Sequence, residues 1–366
     1  MRWVMAKSSF LVILFCIATV CLLAGEGKVP IYQQTTITQP GHYIVTRDIS
    51  IASGSVLTIQ ADEVQVDLGG FTLSTSSSSA AVMEISSGKT DLFFYNGRLK
   101  GGMFGIHHMG SSSSIRVSVK DVEIIDPVTS GISMTRVNKA DIDHCRIVRS
   151  SPDIMALYGI LLQGDPGSLE CRVTDNVVEG TGFYGIYLDD VTASEIRGNE
   201  VTRYAQTDSS YSGIFIIGPS IWQSGGSRIV GNRVRNDGIN GVGISVTANA
   251  TISGNLSIYN GKMGIRCSQG CLIENNTVSF NGTYGIEING PYNVIRGNNI
   301  TGNGTTTSHH GISCVSGENL VEDNSVQGNA GYGLYLSPIV FYRDNILRGN
   351  GAGAVFSGYD AGGNII

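Results

Sequence analysis

The chain has few charged residues and no long segment with the apolar spacing of an amphipathic helix. Asp, Glu, Lys and Arg make up only 15% of its 366 residues, whereas glycine occurs 49 times. This composition, together with frequent Val, Ile, Asn and Ser, is typical of short β-strands joined by tight polar turns. A fold built on long helices is therefore excluded.

Cysteine is too scarce to organise the fold. Five of the seven cysteines remain once Cys16 and Cys21 of the N-terminal segment are set aside, and this odd number lacks zinc-like pairing. The sequence also lacks a Ser-His-Asp triad and a phosphate-binding loop that would point to a known chemistry. The formal net charge of -6 argues against nucleic acid or anionic lipid as a partner, and it leaves neutral or cation-bridged ligands open.

An apolar run lies near the N terminus. Arg2 and Lys7 precede the run from Phe10 to Ala24, and small residues follow it, a pattern that predicts a signal peptide over residues 1–27. The run is shorter than the roughly 20 residues that a membrane-spanning helix needs, so we expect no membrane span in the mature chain. We expect the mature protein to be secreted, periplasmic or on the cell surface.

A Gly-Ile unit or a close variant recurs every 20 to 30 residues, which is the spacing of solenoid repeats. Its glycines are Gly105, Gly131, Gly159, Gly185, Gly213, Gly243, Gly264, Gly285, Gly311, Gly333 and Gly353. A second signature, Asn-x-apolar-x-x-Asn-Gly, repeats beside it, as at Asn298 and Asn303. We expect asparagines stacked at one corner to exchange amide hydrogen bonds along the axis.

Alternating apolar residues follow each glycine of the repeat, as at Ile286 and Ile288. This period of two predicts a strand with one face inward. Because the unit is short and never reverses its order, its copies should stack in parallel into one solenoid. We predict an all-β fold, a single-stranded parallel β-helix of roughly 12 coils. Residues 28–104 would form the N-terminal cap and first coils, and residues 105–366 one continuous domain.

The segments from Val66 to Leu73 and from Asn96 to Leu99, with the later Gly-Ile and Gly-Asn-x-Val units, resemble those of the NosD-like and pectin-lyase-like right-handed parallel β-helix proteins. The resemblance covers nearly the whole mature chain. It implies a right-handed helix, carbohydrate-binding or sugar-hydrolysis repeats, and a groove along the Gly-Ile sheet. The motifs specify coils, so an activity has to come from other residues.

Three insertions fall at one corner, before the Gly-Ile strand, at residues 150–157, 206–212 and 305–309. We expect them to wall one edge of the Gly-Ile sheet. Flat rings on the outer face of that sheet suit the apolar faces of sugars. The predicted substrate-binding residues, which would line the main cleft, are Tyr158, Tyr184, Tyr187 and Phe215. The alternative is that aromatic residues simply favour exposed strands.

A polar cluster follows the same strand, with Asp165 on one coil, Asp189 and Asp190 on the next, and Arg136 one coil before Asp165. We predict these four residues as catalytic and the three aspartates as ligands of Ca²⁺, which prefers oxygen donors. The metal would neutralise a uronate carboxyl during proton abstraction. The alternative is that they are turn aspartates that bond their own backbone.

The leading hypothesis is a protein that binds, and in addition processes, an extracellular polysaccharide or cell-surface glycan as a lyase, epimerase or hydrolase. The rival is a noncatalytic structural module. A NosD-like copper role is less favoured, although His107-His108-Met109 and His309-His310 contain suitable donors. These two histidine pairs are eight coils apart, about 38 Å, so they cannot share one metal.

Overall fold

The computed structural model describes residues 27–108, 110, 115–149, 157–164, 170–190, 192–218, 226–237 and 240–366. These residues form 39 β-strands, numbered β1 to β39 in chain order, and no α-helix. The strands wind into a parallel β-solenoid of about 13 turns, which confirms the predicted right-handed all-β fold. At about 4.8 Å per turn the rod is about 60 Å long. Within the described segments, no helix is long and apolar enough to cross a bilayer.

Sheet A contains the Gly-Ile strands. In order of pairing it consists of β2 (Thr35–Ile37), β5 (Leu57–Ile59), β8 (Met83–Ile85), β10 (Phe104–His108), β12 (Ser130–Asp143), β14 (Tyr158–Gly164), β17 (Tyr184–Asp189), β20 (Ser212–Ile217), β23 (Val242–Ala248), β26 (Ile265–Gln269), β29 (Ile286–Ile288), β32 (Ile312–Cys314), β35 (Tyr332–Leu336) and β38 (Gly353–Phe356).

Sheet B follows sheet A in each turn. It consists of β1 (Lys28–Ile31), β3 (Gly41–Val45), β6 (Val64–Asp67), β9 (Leu92–Gly101), β11 (Ile115–Ile125), the end of β12, β15 (Glu170–Thr174), β18 (Glu195–Arg197), β21 (Ser227–Val230), β24 (Ala250–Ser253), β27 (Leu272–Glu274), β30 (Val294–Arg296), β33 (Leu320–Glu322), β36 (Phe341–Arg343) and β39 (Tyr359–Asp360).

Sheet C closes each turn before the chain returns to sheet A. It consists of β4 (Ile49–Ile51), β7 (Thr72–Thr75), the ends of β9 and β11, β13 (Arg146–Val148), β16 (Val177–Glu179), β19 (Glu200–Thr202), β22 (Arg233–Arg235), β25 (Leu256–Ile258), β28 (Thr277–Ser279), β31 (Asn299–Thr301), β34 (Ser325–Gln327) and β37 (Ile346–Arg348). Pairing continues from β8 to β10 and β12, across the predicted boundary at residue 104.

One apolar core runs along the axis. The inward residue of the Gly-Ile strand is fully buried in every regular turn, as at Ile186 and Ile286, and the thiols of Cys267 and Cys314 lie in the same core. The glycine before it is required by close approach. A Cβ at Gly185 would collide with Val201 of sheet C and lie 2.7 Å from the carbonyl oxygen of Gly213 in the next turn.

Asparagine ladders hold two corners, where the sequence predicted one. The longer ladder lies between sheets B and C and connects Asn176, Asn199, Asn232, Asn255, Asn276, Asn298, Asn324, Asn345 and Asn364 through side-chain amide bonds of 2.9 to 3.1 Å. The shorter ladder lies between sheets C and A and connects Asn260, Asn281, Asn303, Asn329 and Asn350. The five-residue spacing is thus the length of one sheet C strand with its two corners.

Candidate functional site

Parallel pairing in sheet A places equivalent outward side chains in one line along the rod. One stretch of this line, here called the outer column, is defined to begin at Glu84 and continues through His107, Ser133, Leu161, Tyr187 and Phe215. A second line contains the residue three positions earlier, and it includes Phe104, Ser130 and Tyr158. Any ligand that lies along sheet A therefore meets these two lines side by side.

Six rings form one cluster on three successive turns, here called the ring surface. Its members are Tyr158, Phe183, Tyr184, Tyr187, Tyr211 and Phe215. Tyr187 stacks on Tyr184 at a centroid distance of 4.8 Å and on Phe215 at 5.5 Å. The structure thus brings all four predicted ring residues together and adds two that the sequence analysis missed.

The rings of this cluster overlap only partly. The ring centroids of Tyr158 and Tyr187 are 5.9 Å apart, and the interplanar angle is 16°. These near-parallel rings are therefore offset, and part of each ring face stays uncovered. Burial raises the pKa of Tyr184 to about 12 and also raises the pKa values of Tyr158 and Tyr187. The hydroxyl groups therefore stay protonated and can donate hydrogen bonds to a ligand.

The second predicted insertion supplies part of this surface. Residues 206–211 lie between sheets C and A, and Tyr211 from this segment stacks on Phe183 at 4.0 Å. The third insertion lies at the same corner further along the rod, where His309 donates its backbone N–H to Thr306. Most of the first insertion, residues 150–156, lies outside the described residues.

Asp189 borders the ring surface as the last residue of β17. Its carboxylate accepts a 3.4 Å hydrogen bond from the side-chain amide of Gln163 on the preceding turn. Burial raises the pKa of Asp189, and the adjacent Asp190 raises it further, whereas a hydrogen bond from Tyr187 lowers it; the net shift is upward. The structure thus places a half-buried carboxyl with a raised pKa beside the ring surface.

The other predicted polar residues do not all join Asp189. Asp190 follows β17 in a left-handed backbone conformation, with φ of 54°, and Asp165 lies outside the described residues. Arg136 lies in β12, where the register with β14 shifts between Met134 and Val137. Since β14 separates β12 from β17, Arg136 is two turns from Asp189, about 10 Å along the axis.

The predicted calcium set is not tested as a whole, because one of its three members is not described. Among the described residues, the group of three potential metal ligands within 4.8 Å of one another is Asp143, His144 and Asp175, at the corner between sheets B and C. Those carboxylates already pair with Lys120 at 3.3 Å and Arg197 at 3.4 Å. The calcium ligands therefore remain a prediction.

A histidine–carboxylate pair at the start of the outer column was missed by the sequence analysis. Nδ1 of His107 lies 2.9 and 3.0 Å from the two carboxylate oxygens of Glu84, and Phe104 stacks on the imidazole at 4.1 Å. Glu84 lies in a turn without the Gly-Ile signature, which is why it was overlooked. The in-out-in pattern of Met83-Glu84-Ile85, 23 residues before His107, could have revealed it. The next residue, His108, is fully buried.

A second ring cluster occupies sheet A near the C-terminal end. It contains Tyr284, His310, Tyr332, Tyr335 and Phe356, and Tyr335 stacks on His310 at 4.3 Å. An ion pair of Arg266 and Glu287, at 3.2 Å, lies between the two ring clusters. Sheet A thus offers two aromatic areas, and Asp189, whose pKa is raised, borders the ring surface.

Comparison with known proteins identifies the fold. The chain is similar to the A-module of the mannuronan C-5 epimerase AlgE4 of Azotobacter vinelandii, with a TM-score of 0.59 and 13% identity over 88% of this chain and 91% of the module. It is also similar to the periplasmic alginate epimerase AlgG, with a TM-score of 0.50 and 13% identity over 93% of this chain and 84% of that one. No curated protein matches it in sequence.

These structural likenesses, at such low identity, establish the fold and leave the activity open. The model of the right-handed β-helix region matches residues 130–306 and 265–366, which together make up more than half of the sequence. The chain therefore belongs to the right-handed β-helix family.

Proposed function

We propose that this protein binds an extracellular polysaccharide along the outer face of sheet A, with the ring surface as the sugar-binding area. The observation that carries the proposal is the contiguous cluster of six half-buried rings on three successive turns. Offset rings present apolar surface to the C–H faces of sugars, while protonated tyrosine hydroxyls bond to sugar hydroxyls. A flat, ring-lined face that repeats every 4.8 Å suits an extended polymer.

The fold comparison supports the class of ligand by analogy. AlgE4 and AlgG are, by their names, epimerases of mannuronan and alginate, and their fold matches at least 88% of this chain. Because identity is only 13%, the analogy extends to a polysaccharide and not to alginate itself. Export through the predicted signal peptide over residues 1–27 would place the protein where such polymers occur.

A glycan array followed by titration calorimetry tests the proposal. Tyr187→Ala removes the ring that contacts Tyr158, Tyr184 and Phe215, and should weaken glycan binding by about 1 kcal/mol or more, roughly fivefold or greater. The matched control is Tyr335→Ala, which removes a stacked ring from the second cluster and should bind as the parent does.

The rival function is a structural module in which the rings serve only to join turns. Under that reading, Tyr187→Ala and Tyr335→Ala would lower the melting temperature alike, and neither would change the binding of any glycan. A parent protein that binds no glycan on the array, or a Tyr187→Ala variant with parental affinity, would establish the rival.

A further inference from the structure

The start of the outer column combines three side chains that act together in acyl-transfer enzymes. Glu84, His107 and Ser133 occupy the same position on three consecutive turns, in the order carboxylate, imidazole, hydroxyl. Parallel pairing brings successive members to about 4.8 Å, so the order is fixed by the backbone rather than by flexible loops. Because the three residues span 50 positions of the sequence, no local motif reveals them.

The imidazole is held in one orientation. Both oxygens of Glu84 approach Nδ1 of His107 at 2.9 and 3.0 Å, and Phe104 covers one ring face at 4.1 Å with an interplanar angle of 9°. The side chain of His107 is only 12% exposed. A proton on Nδ1 is thereby fixed toward Glu84, and Nε2, which makes no hydrogen bond to the described residues, carries the lone pair of a base.

Two hydroxyls lie beside this base. Ser133 is buried next to His107 in the outer column. Ser130 occupies the place that Phe104 takes one turn earlier, beside the outer column, and its hydroxyl is buried without a hydrogen-bond partner. An unsatisfied buried hydroxyl costs free energy, and it can donate to an oxygen that develops negative charge.

We propose that Ser133, His107 and Glu84 form a Ser-His-Glu site that removes O-acyl groups from the sugar chain bound on the adjacent ring surface. The substrate assignment rests on the proposed function, since the next two residues of the outer column are Leu161 and Tyr187. An acylated sugar seated on the rings of Tyr158 and Tyr187 extends toward Ser133 within two turns, about 10 Å.

The reaction balances with water as the only co-reactant. Oγ of Ser133 attacks the acyl carbonyl carbon while its proton passes to Nε2 of His107, and Ser130 donates to the carbonyl oxygen as it becomes an oxyanion. The bond between the acyl carbon and the sugar oxygen then breaks, and the sugar oxygen takes the proton from Nε2. Water attacks the acyl-serine by the same route, which releases a carboxylic acid and restores Ser133.

The test uses the full mature chain with a fluorophosphonate probe and with p-nitrophenyl acetate. The parent should gain one phosphonyl adduct, located at Ser133 by peptide mass spectrometry, and should hydrolyse the ester. Ser133→Ala should lose both the adduct and the hydrolysis. The matched control is Ser313→Ala, in which the replaced serine is equally buried and lies in the same column seven turns away; it should react as the parent does.

Glu84 is a positioning residue and needs a separate readout. Glu84→Gln should lower kcat by at least about tenfold with KM unchanged, because the imidazole loses its orientation while the binding surface is intact. A Glu84→Gln variant with parental kcat, a parent that takes up no probe, or an adduct that Ser133→Ala retains would overturn the site.

The glycan array separates this inference from the proposed function. A parent that binds glycans but takes up no probe refutes the acyl-transfer site alone, whereas a parent that is labelled at Ser133 but binds no glycan refutes the proposed function and keeps the site for small esters.

Discussion

The two halves of the rod differ in regularity and in chemistry. Strands β27 to β34 are all three residues long, and the turns they belong to carry both asparagine ladders. In the first half, β9, β11 and β12 run through corners with lengths of 10, 11 and 14 residues, and the long ladder begins only at Asn176. The His107–Glu84 pair lies in this less regular half, and the ring surface and Asp189 lie on the middle turns, where the long ladder has begun and the short ladder has not.

The difference separates what holds the fold from what the outer face can do. A strict repeat fixes each corner with amides. Where the repeat is interrupted, as at the insertion that contains Tyr211, neighbouring turns contribute different groups to one surface. In this solenoid, two ladders hold the regular turns, and an interruption of the repeat helps to assemble the ring surface.

The largest expected effect lies in the core of the regular half. Ile286→Asp places a carboxylate where the side chain is fully buried. It should lower the free energy of unfolding by on the order of 4 kcal/mol or more, and most of the protein should be insoluble. Thermal and urea unfolding measure the loss. Ile286→Val, which removes one methyl group, should cost only about 1 kcal/mol. An unchanged melting temperature for the aspartate variant would contradict the inward register.

The next largest effect concerns the long ladder. Asn298 donates at 2.9 Å to the carbonyl of Ile273 and to Asn324, and its oxygen accepts from Asn276 at 2.9 Å. Asn298→Ala leaves these buried groups unpaired and should cost about 3 kcal/mol in urea unfolding. The exposed neighbour serves as control, since Asn299→Ala should stay within about 0.5 kcal/mol of the parent. Equal losses of stability in the two variants would show that the ladder does not stabilise the fold.

A smaller effect, an increase in stability, is expected from a substitution beside the ring surface. Because the folded-state pKa of Asp189 is raised, its ionisation disfavours folding, and the stability present at acid pH is lost as the pH rises through that raised value. Asp189→Asn removes the charge, so its melting temperature should be slightly above that of the parent at neutral pH. Well below the ordinary aspartate pKa, the two melting temperatures should be the same. Melting curves from acid to neutral pH measure the difference.

The same variant tests the calcium prediction. If Asp189 holds Ca²⁺ with Asp165 and Asp190, added Ca²⁺ should raise the melting temperature of the parent and not that of Asp189→Asn. A chelator should then abolish the formation of unsaturated products from uronate polymers. A calcium response that survives in Asp189→Asn would remove this residue from the ligand set.

The smallest effect is expected at the ion pair between the two ring clusters. Arg266 is 49% exposed, so its 3.2 Å contact with Glu287 is screened by solvent. Arg266→Ala should change stability by less than about 1 kcal/mol, and a double-mutant cycle with Glu287→Gln should give a coupling that salt reduces. A larger coupling would show that outer-face charges hold the regular half together.

The fold could be predicted from the sequence because its signals are periodic. The alternation at Ile286 and Ile288 determines which face is inward, and constant repeat order determines parallel stacking. Spacing alone could not show that Asn298 and Asn303 belong to two ladders, because a corner leaves no mark on the distance between residues in sequence. The two ladders are distinguished by the hydrogen bond that each asparagine makes to the next turn.

The site was harder to predict because neighbouring turns, and not neighbouring residues, build it. Tyr187 and Phe215 could be aligned through their Gly-Ile units, and the structure places them in contact. Glu84 precedes the first such unit, so no alignment linked it to His107. Phe183 and Tyr211 lie outside the alternating pattern, and their stacking depends on the path of the corner segment.

The direction of the long ladder has a mechanical consequence. Every amide donates toward the next turn, from Asn176 to Asn199 and onward, until Asn364 donates to the carboxylate of Asp360 at 2.7 Å. A load applied along the rod meets one such link and one set of backbone bonds per turn. The turn at the loaded end has neighbours on one side only, so under tension the chain should detach turn by turn. Each detached turn of about 22 residues would lengthen the chain by about 75 Å, which an optical trap would record as evenly spaced steps.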